Sequence, residues 1–426
     1  MAAALSIVLI ALAVIGTPIF VIILAAAMLG FYFSDVDLSV ITIELYRITD
    51  TPLLIALPFF TLAGYLLAES KSSERLVRVT QALIGWLPSG LAIIAFVCCA
   101  LFTAFTGASG VTIVALGALL YPALKQVGYS ETFSLGLVTS SGSLGLLLAP
   151  SLPLILYGIV AQQLDVGEPF TIQQLFIAGL MPALLMIVLL SAWSLWVNRD
   201  AQIPIQRFSM RELGSALWEA RWEAPLPLFV LGGIYGGFLA ISETATVTVL
   251  YVLIVEVFVY REIAVRELPG VVQKAMTVVG GIILILGVSL AFTNLLIDAE
   301  IPTRAFEFIQ AHIDSKLAFL ILLNILLLVL GAILDIFSAI IIMVPLILPI
   351  AVAYGVHPVH LGIIFLANMQ IGYFTPPVGM NLFIASYRFE KPIMLLYKAA
   401  IPFMAVLLFA VIIITYVPAL SLAFID

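Results

Sequence analysis

The chain has 426 residues, of which 64% are hydrophobic and only 10% charged, and its mean hydropathy is +1.25. Soluble domains average about 25% charged residues, so the composition excludes a soluble globular protein. The net charge of −7 is spread over loops with no basic block, which offers nothing to nucleic acid. The chain reads as an all-α polytopic membrane protein with room for about a dozen membrane segments.

In chain order, the run Leu5–Gly30 is longer than the roughly 20 apolar residues that cross a bilayer. Residues 1–4 carry no Lys or Arg, so this run is expected to be a retained span rather than a cleaved leader. With the external loop after it, it makes a first unit, 1–49. Further spans are expected near 50–68, 129–160, 174–197, 226–241, 244–260, 276–297, 361–387 and 399–418. Residues 69–88 mix Glu69, Lys71, Glu74, Arg75 and Arg78 with Leu76, Val77, Leu83, Ile84 and Trp86. This is the pattern of an interfacial amphipathic helix or of a solvated loop helix. Residues 199–223 repeat it, with Trp218 and Trp222 as anchors. Cys98 and Cys99 are adjacent in an apolar segment and read as small buried side chains.

Basic residues set the sidedness. Of the 17 Lys and Arg, only Arg47, Arg304 and Lys316 fall outside five clusters that can all face the cytoplasm, a strong positive-inside asymmetry. The flanks of 90–124, Lys71–Arg78 and Lys125, then share one side, so this segment must enter and return as a re-entrant hairpin with its tip near Gly107-Ala-Ser109-Gly110. The mirror case is 317–352, whose middle is Gly331-Ala-Ile-Leu-Asp335. Nine crossings place the N-terminus in the cytoplasm and the C-terminus outside.

Helix breakers in lipid are expensive, because each freed backbone group must find a partner inside the protein. Here they recur. Pro122, Gly128, Gly145 and Pro150 are spaced by 6, 17 and 5 residues, and Pro349, Gly355, Gly372 and Pro377 repeat those intervals. The expected organisation is two inverted-topology repeats, 50–197 and 276–426, each with a hairpin and a broken helix, joined by an arm and connecting helices over 198–275. Alternating access of a secondary transporter suits that build.

Broken helices expose carbonyls at one half-end and amides at the other. A cage of the Gly331, Gly372 and Val378 carbonyls with the Thr375 hydroxyl suits a hard cation such as sodium. In the first repeat the equivalents are Ser109, Gly145, Leu148 and Pro150. The bland alternative for both is a kink packed against neighbouring helices. Asp335 stands in an apolar stretch with no basic residue from Lys316 to Arg388. Such a group either serves an ion and substrate site or caps the helix that begins at the tip, with Ser338 following. Asn324, Asn368 and Gln370 are neutral candidates for the same cavity or interhelical hydrogen-bond partners. Glu243 opens a span and reads as a helix-start residue. An enzyme reading fails on partners: the Ser109 motif lacks a membrane-buried base, since His312, His357 and His360 fall in segments read as external loops, and Asp335 has no second aspartate at depth.

On these residues the chain resembles the large membrane subunit of TRAP (tripartite ATP-independent periplasmic) transporters. The matching pieces run from Pro58-Phe-Phe-Thr-Leu-Ala-Gly64 through Gly107-Ala-Ser-Gly110, Gly128-Tyr129, Ala149-Pro-Ser-Leu-Pro153 and Tyr157-Gly158. They continue with Glu243-Thr-Ala-Thr-Val-Thr-Val-Leu-Tyr251, Leu330-Gly-Ala-Ile-Leu-Asp335, Val356-His-Pro-Val-His-Leu-Gly362 and Ile371-Gly-Tyr-Phe-Thr-Pro-Pro-Val-Gly379 with Asn381-Leu382. The resemblance implies sodium-coupled secondary uptake across the bacterial inner membrane, by an elevator-type movement of the hairpin-bearing domain and with at least two Na+ ions. Ser109, Gly145, Leu148 and Pro150 match one cation site; Gly331, Gly372, Thr375 and Val378 match the other; Asp335 matches the acidic tip residue beside the substrate, with Ser338 and Asn368 as further substrate candidates. The partners implied are a small four-helix membrane subunit and a periplasmic substrate-binding protein, and the cargo a small organic acid or zwitterion. A stand-alone cation/carboxylate symporter of the same architecture is the alternative. Two departures stand out: Ala149 where the family often has proline, and Val111 where a small or hydroxyl residue is common. The sidedness makes a direct prediction: a cysteine replacing His357 is labelled from outside and one replacing Arg207 from inside, and reversed labelling overturns the topology.

Overall fold

The computed structural model describes residues 12, 15–47, 51–87, 89–199, 208–313 and 315–425. The start of the first expected span and Arg207 lie outside the described residues. Among the described residues the chain is helical, with no strand.

The first described helix, α1 (Ile19–Phe33), starts where Gly16 has turned the chain at φ +83° and Pro18 supplies the N-cap. A short helix the sequence reading missed, α2 (Ser39–Arg47), follows. Then come α3 (Ala56–Glu69), an amphipathic arm α4 (Ser72–Ile84), a helical pair α5 (Gly90–Thr106) and α6 (Ser109–Val127), and a broken helix. Its halves are α7 (Glu131–Ser141) and α8 (Leu152–Gln163), separated by a 3-10 turn at Leu144–Leu147; α9 (Ile172–Val197) closes this half. The connecting region holds α10 (Met210–Glu219), α11 (Pro225–Tyr235) and α12 (Ile241–Leu253), the last prolonged by a π turn at Ile254–Val259. The second half repeats the element order: α13 (Leu268–Asp298), an arm α14 (Ile301–Gln310), a pair α15 (Lys316–Ile333) and α16 (Ile336–Ala353), broken halves α17 (Pro358–Gly372) and α18 (Met380–Phe389), then α19 (Ile393–Tyr416) and a terminal turn α20 (Ala419–Leu422).

The repeated breakers occupy repeated positions. Pro122 and Pro349 sit inside α6 and α16. Gly128 and Gly355 follow those helices at φ +107° and +72°, a left-handed backbone that a side chain resists. Gly145 and Gly372 lie at the breaks, where a neighbouring backbone comes too close for any Cβ. Pro150 and Pro377 each follow a cis peptide bond.

Among the described residues, seven helices are long and apolar enough to cross a membrane, and up to nine if the bent pairs α3–α4 and α7–α8 each count as one span. Three of the seven are α6, α15 and α16, arms of the expected hairpins, so this set differs from the nine crossings read from sequence. The expected span at 226–241 is only the 11-residue α11, which stops at the Gly236-Gly237 turn. His360 is not in a loop: the helix starts at Pro358, with His357 as its N-cap, and buries His360 against Ser421 and the Thr415 carbonyl.

The broken helices form the centre of the core. Every residue of α17 is buried, as is α8 from Leu152 to Ala161, which fits their apolar character on all faces. α17 packs on α15, α19 on α7, and α16 on α8. The two halves are stitched at the breaks, where Ser143 Oγ donates to the Gln370 carbonyl at 3.0 Å, and along α8, where Tyr157 Oη donates to the carbonyl of Pro358 at the start of α17 at 2.6 Å.

Close packing makes two glycine substitutions differ in sign. A Cβ on Gly136 of α7 would lie 2.2 Å from the Ala399 carbonyl of α19, whereas one on Gly280 of α13 meets nothing within 4 Å. Gly136→Ala is expected to destabilise by about 1–3 kcal/mol and Gly280→Ala to stabilise by up to about 1 kcal/mol through helix propensity, read by thermal unfolding in detergent.

Candidate functional site

Each helical pair turns at a tip where a C-terminal end meets an N-terminal end. In the first, α5 ends at Gly107 (φ +65°) and α6 starts at Ser109; in the second, α15 ends at Ile333 and α16 starts after Asp335. The last carbonyls of α5 and α15 and the first amides of α6 and α16 have no intrahelical partners. The tips therefore concentrate backbone polarity.

The two N-terminal ends are finished differently. Asp335 is the N-cap of α16, its Oδ1 accepting from the amides of Phe337 and Ser338, both at 3.0 Å, while the Ser338 hydroxyl donates to Oδ2. The Ile336 amide is taken by Tyr373 Oη at 2.8 Å. At α6 the N-cap is Ala108, which has no side chain to offer, so that end is uncapped. One tip carries its own carboxylate and the other presents bare amides, a preference for an anion.

Both tips open into one cavity of about 640 Å³. Gly107 to Val111 line it from one tip, Asp335 and Phe337 from the other, with Tyr373 and Met380 from the second break and Tyr65 and Glu69 from α3. Among the described residues, no Lys or Arg lines it.

Of the second expected cation cage, the structure brings together Gly331 and Gly372, and the Gly372 carbonyl accepts a turn hydrogen bond from the Thr375 amide at 3.0 Å. Gly331 and Gly372 meet backbone to backbone, since a Cβ on Gly372 would lie 2.4 Å from the Gly331 carbonyl carbon. Gly331 belongs to the last turn of α15. Thr375 Oγ donates to the Ile371 carbonyl at 2.9 Å, which leaves its lone pairs for another partner, and Val378 lies at the exposed end of the break. The first cage is arranged differently. Ser109 Oγ donates to Asn381 Oδ1 of the second half at 2.7 Å. Gly145 packs on α5, where its Cβ would lie 2.1 Å from the Ala100 carbonyl oxygen. The Gly145 and Leu148 carbonyls accept turn hydrogen bonds from Leu148 and Ser151, and Pro150 is buried. Thr103 fastens this region, donating to the Gly142 carbonyl at 2.8 Å.

Ser338 sits with Asp335, but Asn368 does not line the cavity. It is buried between α15 and α19, donating to Asn324 Oδ1 at 2.6 Å and to the Ile364 carbonyl at 2.8 Å. Thr415 completes that network on Asn324 at 3.2 Å. Sequence reasoning did not single out Asn381 or Tyr373 as site residues. Their signal was position alone: polar side chains flanking the Thr375-Pro-Pro break in an apolar segment.

A helical membrane protein whose paired helices close on two helix breaks around a shared cavity has the build of a secondary transporter. The chain belongs to the family described as tripartite ATP-independent periplasmic transporter, DctM component, whose profile matches residues 6–420. It is 34% identical to the C4-dicarboxylate TRAP transporter large permease protein DctM of Pseudomonas aeruginosa, over 94% of this chain and 92% of that one. It is 35% identical to the isethionate TRAP transporter permease protein DctMQ of Oleidesulfovibrio alaskensis, over 87% of this chain but only 58% of that longer relative. In fold it is similar to the YdaH transporter of Alcanivorax borkumensis (TM-score 0.61, 14% identity, 89% of this chain and 90% of that one). The expected family membership therefore holds, and the chain is an all-helical multi-pass membrane protein with transporter permeases, not enzymes, for relatives.

Asp335→Ala removes the cap and the one carboxylate shared by tip and cavity. The expected result is loss of uptake with membrane insertion retained; wild-type uptake in the variant would remove Asp335 from the site.

Proposed function

We propose that this chain is the membrane-spanning pathway of a sodium-coupled importer in the bacterial inner membrane, taking a small organic acid or zwitterion from a periplasmic binding protein. The single observation that carries this reading is the cavity walled by both tips. An organic carboxylate at the uncapped α6 amides has its charge met by helix-end dipoles rather than by arginine. A sodium ion among the Gly331, Gly372 and Val378 carbonyls and the Thr375 hydroxyl, and a second beside Ser109, Gly145, Leu148 and Pro150, would brace the tips and offset the negative charge of Asp335. Hard oxygen donors suit such an ion.

Ion binding would thus order the tips before the solute arrives, so sodium and solute would favour each other's binding by the same factor. The repeated order of arm, pair, break and closing helix supports an inverted-repeat reading in which the hairpin-bearing part moves as an elevator. The relatives' names favour anionic cargo, and the absence of a lining arginine favours a solute with a single carboxylate or one balanced by its own cation. The family is the ground for expecting a small four-helix subunit and a binding protein as partners.

Thermal unfolding of the purified chain with sodium titrated against potassium at fixed ionic strength tests the coupling ion. A ligand at about 100 times its Kd stabilises by roughly 2.7 kcal/mol. A saturable, sodium-specific rise in Tm that shrinks in Thr375→Val is expected; an identical response to both cations contradicts sodium coupling.

A further inference from the structure

Away from the cavity, the arm α4 is fastened to the connecting region by a buried cluster of charge. Arg75 of α4 is 5% exposed, and its guanidinium donates to both oxygens of Glu223, at 2.6 and 2.7 Å, and to both of Glu262, at 2.6 and 3.0 Å. Its face stacks 4.1 Å from the centre of the Tyr260 ring. The Lys71 amide adds a bond to Glu262 at 2.8 Å. Burial opposes the charge on Glu262, but Arg75 and the Lys71 amide outweigh it and hold its pKa below the ordinary value.

Glu256 receives none of this. It is wholly buried, in the π turn at Ile254–Val259, with Oε2 3.5 Å from Arg75 Nη2 and neither oxygen hydrogen-bonded. Its other neighbours are the carboxylates of Glu223 and Glu262. Three carboxylates therefore face one guanidinium whose donors are committed to two of them, and Lys71, Tyr251, Tyr260 and, beyond Tyr260, Arg221 are further ionisable groups around the cluster.

An ionised Glu256 would be a buried charge with no donor beside surplus negative charge, which a low-dielectric interior strongly disfavours. A protonated Glu256 removes one charge and gains an O–H to donate to Glu223, the usual resolution when two carboxylates share a site. We propose that Glu256 and Glu223 hold one proton between them, making this cluster a proton-binding site through which Arg75 pins the arm to the connecting helices. Losing the proton sets three carboxylates against one another and loosens the arm that leads into α5 and its tip.

The test is thermal unfolding of the full chain in detergent from about pH 5 to about pH 9, above the ordinary glutamate pKa of about 4.3. Across that window the unfolded chain releases this proton and the native chain keeps it, so stability falls as pH rises. Wild type is expected to lose several degrees of Tm toward the alkaline end, and Glu256→Gln, which keeps a neutral donor and removes the proton, to lose much less. In Glu223→Gln the amide donates to an ionised Glu256, so its slope is expected to be shallower too. A wild-type slope in either variant overturns the proposal. So does failure of Glu256→Gln to fold, because the neutral side chain mimics the proposed native form.

Discussion

Backbone polar groups have no water to turn to inside a bilayer, and the arrangement of this chain follows from that constraint. A helix broken at membrane depth leaves carbonyls and amides that the protein itself must satisfy. Here the tip of a helical pair lies against a break, and all-round burial of α17 and α8 keeps the freed groups away from lipid. The glycines at these contacts have no room for a side chain: Gly372 touches Gly331, and Gly145 touches Ala100. Irregular backbone is tolerated because it is enclosed by protein, and once enclosed it is a set of oriented dipoles available to an ion or a carboxylate.

Sequence-distant contacts hold the tips in place. Ser109 reaches Asn381 across the two halves, Ser143 reaches the Gln370 carbonyl, and Tyr373 supplies the oxygen for the Ile336 amide. A change at one tip is therefore felt at the other break through direct hydrogen bonds. The arm α4 is tied down by the Arg75 cluster, at the opposite end of α3 from Pro52. The first helical pair thus hangs between a buried centre and an anchored arm.

Much of this was legible in the sequence, for a physical reason. Proline and glycine are costly in a membrane helix, so their matched spacing marked Gly128, Gly145, Gly355 and Gly372 before any coordinates. Acidic and basic residues are costly too, so Asp335 stood out. The hairpin tips fell where the middle of each apolar segment put them. What stayed hidden was pairing across long separations: Asn381 with Ser109, Arg75 with Glu223 and Glu262, and Asn368 with Asn324 rather than with the cavity. Hydropathy also misplaced His360, because it registers where apolar runs end and not that Pro358 starts a helix. No single helix covers the span expected at 226–241, because two glycines end α11 early.

The most direct test of the central claim is a density map of the chain in a lipid bilayer, collected once in sodium and once in potassium. The account predicts an added peak in sodium among the Gly331, Gly372 and Val378 carbonyls and the Thr375 hydroxyl, with the tip of α15 and α16 in contact with the break. Identical density there in both salts, with uptake still dependent on sodium, would contradict it.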